Sequence, residues 1–221
     1  MERPIKTRLN DILQIMPRDL FAHLGRVALY VKIFCLNITA NDFFEIHIED
    51  CLRFGDAAFF HDIGKLWIAR TILEKPDTLS PEELAVMQKH PLYAKSILES
   101  LKSDGFALYS QDLFALATAA ALYHHERWDG AGYPFGIQGS NIPLIARITA
   151  ICDTFDTITH GRAYCDRRSV NTAFDEIAKC ANAQFDPLLV RLFVQNKNNI
   201  TGALWIQTDA ENKTAHNESE A

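Results

Sequence analysis

The sequence predicts an all-α protein folded as one compact helical domain. Apolar residues recur at three- and four-residue steps over most of the chain, the period of a helix with one buried face. Helix-start signals, notably Ser80-Pro81-Glu82-Glu83 and the prolines at 143 and 187, divide the chain into segments of helical length. Strand signals are weak, with one short extended piece expected at 203–207. The chain has 221 residues and is 48% hydrophobic, enough to bury one core.

In chain order, the first helix is expected over 17–38, where Leu20, Leu24, Val27, Val31 and then Phe34 line one face. A second, over 48–60, delivers His61-Asp62 at its end. Ser80 is an N-cap with proline in the first turn and early carboxylates. That helix is expected to run to His90-Pro91, where the proline restricts His90 and breaks or kinks it. Alanine and leucine over 111–123 form a further helix that stops at His124-His125. Gly130, Gly132, Pro134, Gly136 and Gly139 then mark the longest loop. Pro143 restarts a helix carrying Arg147, Asp153 and Asp156, and helices near 170–181 and 187–195 complete the core. Residues 1–16 read as an N-terminal extension, 17–207 as the domain, and 208–221 as a polar, acidic tail expected to be disordered.

The net charge of −6 argues against a nucleic-acid partner. It leaves room for a small anionic substrate, because bound metal ions would dominate the charge of a pocket. Five cysteines, at 35, 51, 152, 165 and 180, lie far apart without a Cys-x-x-Cys pair. That disfavours a disulfide framework and a structural zinc site, and fits reduced thiols. The N-terminus lacks the apolar core of a signal peptide, and no stretch reads as long and apolar enough to cross a bilayer. A cytoplasmic location without a membrane partner is expected.

Five histidines and two aspartates carry the chemistry: His23, His61-Asp62, His90, His124-His125 and Asp153. Each alone is weak evidence, since most helical histidines bind no metal. Together they are informative. Adjacent histidines inside a helix would splay about 100° apart, whereas at a helix end both can converge on one point. Asp153 follows the apolar run 148–151, where a buried carboxylate needs a partner, and a metal is a natural one. Imidazole and carboxylate donors suit iron, manganese, cobalt, nickel or zinc. Asp156, one turn after Asp153, is a candidate acceptor for a histidine ring, or equally a helix-end carboxylate bonded to backbone.

From Asp19 to Val194 the chain resembles the HD-GYP subgroup of the HD phosphohydrolase superfamily. The matching residues are His23-x-x-Arg26-Val27, Ala58-x-x-His61-Asp62-Ile63-Gly64-Lys65 and Glu74-Lys75-Pro76-x-x-Leu79-x-x-Glu82-Glu83, followed by His90-Pro91. Next come His124-His125-Glu126-Arg127-Trp128-Asp129-Gly130-x-Gly132-Tyr133-Pro134, Ile142-Pro143-x-x-Ala146-Arg147-Ile148, Asp153-x-Phe155-Asp156, Thr159-x-x-Arg162-x-Tyr164 and Phe185-Asp186-Pro187.

The resemblance implies an HD-type helical domain with a metal centre in the core of its bundle. It implies hydrolysis of cyclic di-GMP to pGpG, GMP or both, by a hydroxide bridging two divalent ions, iron or manganese first among them. His23, His61, Asp62 and Asp153 would hold one ion, and Asp62 would bridge to a second held by His90, His124 and His125. Asp62 and Lys65 would be the catalytic pair, Lys65 contacting the scissile phosphate. Arg162 would bind phosphate or a guanine edge. Gly132, Tyr133 and Pro134 would shape the substrate loop, which in some members meets a diguanylate cyclase domain. Two positions depart from the family pattern. Asp19 stands where some members have a glutamate that ligates a third metal, and Cys165 stands where a basic residue is usual.

Two alternatives remain open at this stage. One is an HD hydrolase of another nucleotide, which Cys165 favours. The other is a silent cyclic-dinucleotide-binding or interaction module, which the full ligand set disfavours. About twenty residues precede His23, too few for a fused receiver or sensor domain, so regulation is expected from expression, a separate partner, or metal and redox state.

Overall fold

The computed structural model describes residues 9–39, 44, 46–103, 111–161 and 168–202. A short helix α1 (Leu9–Ile15) leads into the long α2 (Arg18–Ile38). The apolar stripe of α2, running Leu24, Val27, Tyr30, Val31, Phe34, Cys35 and Ile38, is buried, as its spacing requires. α3 (Ile48–Ala58) follows, then a 3-10 turn at Ile63–Trp67, then α4 (Arg70–Leu73), α5 (Pro81–Met87) and α6 (His90–Ser103). α7 (Gln111–Tyr123), a second 3-10 turn at Gly139–Asn141, α8 (Leu144–His160), α9 (Val170–Lys179) and α10 (Pro187–Gln195) complete the order. Among the described residues the only strand-like pairing is an isolated bridge between Ala181 and Phe185. The fold is all-α. The expected extended piece at 203–207 and the polar tail lie outside the described residues.

Local chemistry explains the helix boundaries. Ser80 and Glu83 form a capping box at α5: Glu83 N–H donates to Ser80 Oγ at 3.3 Å, and Ser80 N–H to Glu83 Oε2 at 2.7 Å. Asp186 caps α10 by accepting from the Leu188 and Leu189 amides, at 2.9 and 3.4 Å. Its other oxygen takes Arg147 Nη1 at 2.6 Å, which ties α10 to α8. Pro91 differs from its expected role. The helix before it ends at Met87, and Pro91 sits in the first turn of α6, where its missing amide hydrogen costs no intrahelical bond.

Two apolar clusters form the core. One is aromatic, gathering Tyr30, Phe34, Phe155, Phe174 and Phe193 from α2, α8, α9 and α10, with edge-on pairs such as Tyr30–Phe155 at 5.2 Å and Phe34–Phe193 at 5.0 Å. The other packs α1 and the start of α2 against the first 3-10 turn, α6 and α7, through Ile12, Met16, Leu24, Ile63, Leu98 and Ala121. α2, α3 and α7 contribute to both clusters, and the histidines lie along that seam.

One expectation needs correction. By length and composition α2 is apolar enough to cross a membrane, with a mean hydropathy of 1.3, although the sequence reading found no such stretch. Here its apolar face is the core stripe, packed against α3 and α8.

Candidate metal centre

Each histidine is delivered by a helix end or by the inner face of a long helix. His23 and Arg26 lie one turn apart on α2. His61-Asp62 follows α3 in a tight turn, with His61 N–H on Ala58 O at 3.1 Å and Lys65 N–H on Asp62 O at 2.9 Å. His90 opens α6, His124-His125 follow α7, and Asp153 and Asp156 come from α8. Gly64 lets these elements approach. A Cβ there would stand 1.9 Å from His90 O and 2.5 Å from Ala94 N, so the glycine serves close packing of the 3-10 turn on α6 rather than a bend.

The side chains converge in two sets that share Asp62. His23, His61, Asp62 and Asp153 form one, and Asp62, His90, His124 and His125 the other, with the donor atoms of each set within 4.8 Å of one another. Asp62 Oδ2 is 3.5 Å from both His23 Nε2 and His61 Nε2. Its Oδ1 is 3.1 Å from His90 Nε2 and 3.6 Å from His124 Nε2. Asp153 Oδ1 closes the first set, 3.3 Å from His23 Nε2 and 3.8 Å from His61 Nε2. His61, Asp62, His90 and His124 are buried.

The hydrogen-bond pattern tests whether these groups suit a metal. His61 Nδ1 faces Ala58 O at 2.9 Å, His90 Nδ1 faces Met87 O at 2.7 Å, and His124 Nδ1 faces Ala121 O at 3.0 Å. A carbonyl accepts only, so each Nδ1 carries the proton and each Nε2 presents a bare lone pair. His23 Nδ1 lies 2.7 Å from Asp156 Oδ2, with the same consequence. Those four Nε2 atoms, and Asp62 Oδ1, are buried without a hydrogen-bond partner. The nearby carboxylates are at ion-pair distance from them but not in hydrogen-bonding geometry. Unmade bonds at so many buried polar atoms are costly, and cations between the nitrogens and carboxylates would satisfy them. The residues fit a metal pair.

Electrostatics agree with that fit. Burial, with smaller contributions from nearby histidines, takes the His124 pKa down to about 4 and holds His125 well below its ordinary value. Both rings are therefore neutral donors. Burial opposes the charge on Asp62, but the Lys65 ammonium and the His61 ring, with His124 and His23 close by, hold it well below the usual carboxylate range. Burial likewise opposes charge on His23, yet Asp153, Asp156 and Asp62 outweigh it and push the ring up to about 10. The first set thus demands positive charge, which a proton supplies when no cation does.

Around the two sets, Asp156 gathers three cationic or imidazole groups. It accepts Arg26 Nε at 2.7 Å and Arg26 Nη2 at 3.0 Å, besides His23 and His160 Nδ1 at 3.0 Å. Its expected role as acceptor for a histidine ring is present in the geometry. Arg26 was quoted from the sequence only within the His23-x-x-Arg26 motif and His160 not at all, and neither was given a role. Their signal was helix-face spacing: Arg26 three residues after His23, and His160 four after Asp156. Lys65 Nζ pairs with Asp62 Oδ2. In the glycine-rich loop, the Tyr133 ring stacks on His125 at 4.7 Å and 22°, next to the cis Tyr133–Pro134 peptide. Asp19 is exposed, one turn before His23, and belongs to neither set. Arg162 and Cys165 lie outside the described residues.

A family model described as HD domain matches residues 10–189. A Thermotoga maritima protein named as a cyclic di-GMP phosphodiesterase is 35% identical over 73% of this chain and 41% of its own length. A Vibrio cholerae protein named as 3'3'-cGAMP-specific phosphodiesterase 2 is 34% identical over 85% of this chain and 33% of its own length. The chain thus spans a third to two fifths of the length of these relatives. Among solved structures, an HDG"Y"P protein from Bdellovibrio bacteriovorus superposes with a TM-score of 0.58 at 15% identity, covering 85% of this chain and 56% of the other. With the paired histidine-aspartate sets and the HD-GYP motifs in order along it, the chain belongs to the HD domain family.

Proposed function

We propose that this chain is a metal-dependent phosphodiesterase that hydrolyses cyclic dinucleotides, with cyclic di-GMP the leading substrate and pGpG, GMP or both as products. The observation that carries the reading is Asp62, whose two oxygens each face a separate group of bare imidazole nitrogens. His23, His61, Asp62 and Asp153 would hold one divalent ion, and Asp62, His90, His124 and His125 a second. Iron or manganese is the expected metal on the family resemblance, and the mixed nitrogen and carboxylate donors suit both. Two ions are favoured over three because Asp19 points to solvent. When bound, such a pair supplies a nucleophile at neutral pH and offsets charge on a phosphodiester.

The chain's own residues supply the rest. Lys65 holds a cation beside Asp62, suited to a nonbridging phosphate oxygen and to protonating the leaving oxygen. Burial of His61, Asp62, His90 and His124 excludes bulk water from the reacting face. Gly132, Tyr133 and Pro134 would wall the substrate side, and Arg162 would bind phosphate or a guanine edge. Residues 17–207 would form the catalytic domain, with residues 1–16 as an extension and 208–221 as a polar tail. The net charge of −6 argues against nucleic acid and leaves room for a small anionic substrate beside bound metal ions; α2's stripe lies in the core, and the domain would be cytoplasmic. The Gly132-Tyr133-Pro134 loop would be the surface offered to a diguanylate cyclase domain.

A second substrate, 3'3'-cGAMP, is favoured by the Vibrio cholerae relative and by Cys165 at a position where a basic residue is usual in the family. The test is anaerobic incubation of iron- or manganese-loaded protein with each cyclic dinucleotide, followed by chromatography of the products. Turnover of cyclic di-GMP, lost in Asp62→Ala, is the expected result. Turnover of 3'3'-cGAMP alone would reassign the substrate, and full activity in Asp62→Ala would overturn the mechanism.

A further inference from the structure

We propose that the Gly132-Tyr133-Pro134 turn positions His125 and so decides whether the chain retains its second ion. The inference rests on the two-ion reading of the site. Four of the histidines have their rings fixed by an Nδ1 hydrogen bond, to Asp156, Ala58, Met87 or Ala121. Such a bond sets both the tautomer and the rotation of the ring. Among the described residues the His125 ring makes no such bond. Rings surround it instead: His124 at 4.0 Å, His90 at 4.9 Å and Tyr133 at 4.7 Å. Of these three neighbours only Tyr133 is not itself a donor to the centre. Its near-parallel stack, tilted by 22°, covers one face of the imidazole and restricts rotation about the bond to the ring.

Tyr133 can act this way because the loop is seated on the histidine doublet itself. Tyr133 N–H donates to His125 O at 3.2 Å. Two residues on, Phe135 N–H donates to the buried Glu126 carboxylate at 2.7 Å. Between His125 and Tyr133 the loop leaves no room for a side chain at Gly132. A Cβ there would lie 2.4 Å from Arg127 N and 2.6 Å from both Glu126 Cα and His125 O. The glycine allows the approach, the two amide bonds lock it, and the tyrosine ring lands on the unanchored ligand. The face that meets His125 is the aromatic one.

The test is titration of metal-free protein with manganese alone, anaerobically. It reads ions bound per chain, the affinity of each, and the spin-coupled signal of a manganese pair. Wild type and Tyr133→Phe should take two ions and give the coupled signal. Tyr133→Ala should keep the first ion at wild-type affinity, bind the second about tenfold or more weakly, and replace the coupled signal by that of isolated manganese. His125→Ala should do the same. Tyr133→Leu retains bulk but cannot stack, so it should follow Tyr133→Ala, and it carries the test if the alanine variant fails to fold. Wild-type affinity for both ions in the alanine and leucine variants, with His125→Ala impaired, would overturn the role of Tyr133 alone. A single ion in wild type would overturn the two-ion reading, and the inference with it.

Discussion

A buried carboxylate needs opposite charge beside it: Lys65 supplies it at Asp62 Oδ2, while Oδ1 faces the lone pairs of His90 and His124 Nε2, where a cation would supply it. The ring orientations depend in turn on groups outside the sets, Asp156 foremost. Removing it would take the carboxylate away from Arg26, His23 Nδ1 and His160 Nδ1 together. Asp156→Ala is therefore expected to lower affinity for the ion of the first set by about 10–100-fold. It should also cost about 3–5 kcal/mol of folding stability, as breaking a buried ion pair does. Chelator competition and urea denaturation measure the two effects. Unchanged metal affinity would remove Asp156 from the centre. At this scale the residues that converge were legible, because the pairs His61-Asp62 and His124-His125 at helix ends and Asp153 beside an apolar run are conspicuous. Neither Arg26 nor His160 was given a role, because the Arg26–Asp156 contact spans 130 residues of chain and an i, i+4 spacing such as Asp156–His160 does not by itself mark a pair.

Helix ends do most of the assembly among the elements. His61-Asp62 and His124-His125 sit just past α3 and α7, and His90 opens α6, so backbone carbonyls of the adjoining turns are free to fix the rings. Gly64 is the joint between two of these ends. Gly64→Ala would drive its methyl group into the His90 carbonyl. It should cost about 1–3 kcal/mol or more by overpacking and weaken the second ion by displacing His90. Urea denaturation alongside manganese titration reads both; a variant of wild-type stability would show that the turn yields. The long helices were legible from their period. α6 carries the same signal in Ala94, Ile97, Leu98 and Leu101, all buried, but reading Pro91 as a terminator hid a helix that the proline in fact begins. α1 places Leu9, Ile12 and Leu13 on the core, but over seven residues the pattern is too short to stand out, and α4 spans a single turn.

For the molecule as a whole, the centre occupies the seam where two apolar clusters meet, with α2, α3 and α7 contributing to both. Folding and site assembly are thus one event: the helices that bury the aromatic cluster also bring His23, Asp62 and Asp153 together. The all-helical class followed from period and composition. The division of the core into two clusters did not, because it depends on which helices pack together, and hydropathy along one chain does not encode that.

The central claim is that Asp62 joins two ions. Anomalous diffraction from crystals of the manganese-loaded protein tests it most directly. The expected result is two peaks about 3.5–4 Å apart, one on each side of Asp62, both lost in Asp62→Ala. A single peak, or a pair of peaks that survives in Asp62→Ala, would contradict it.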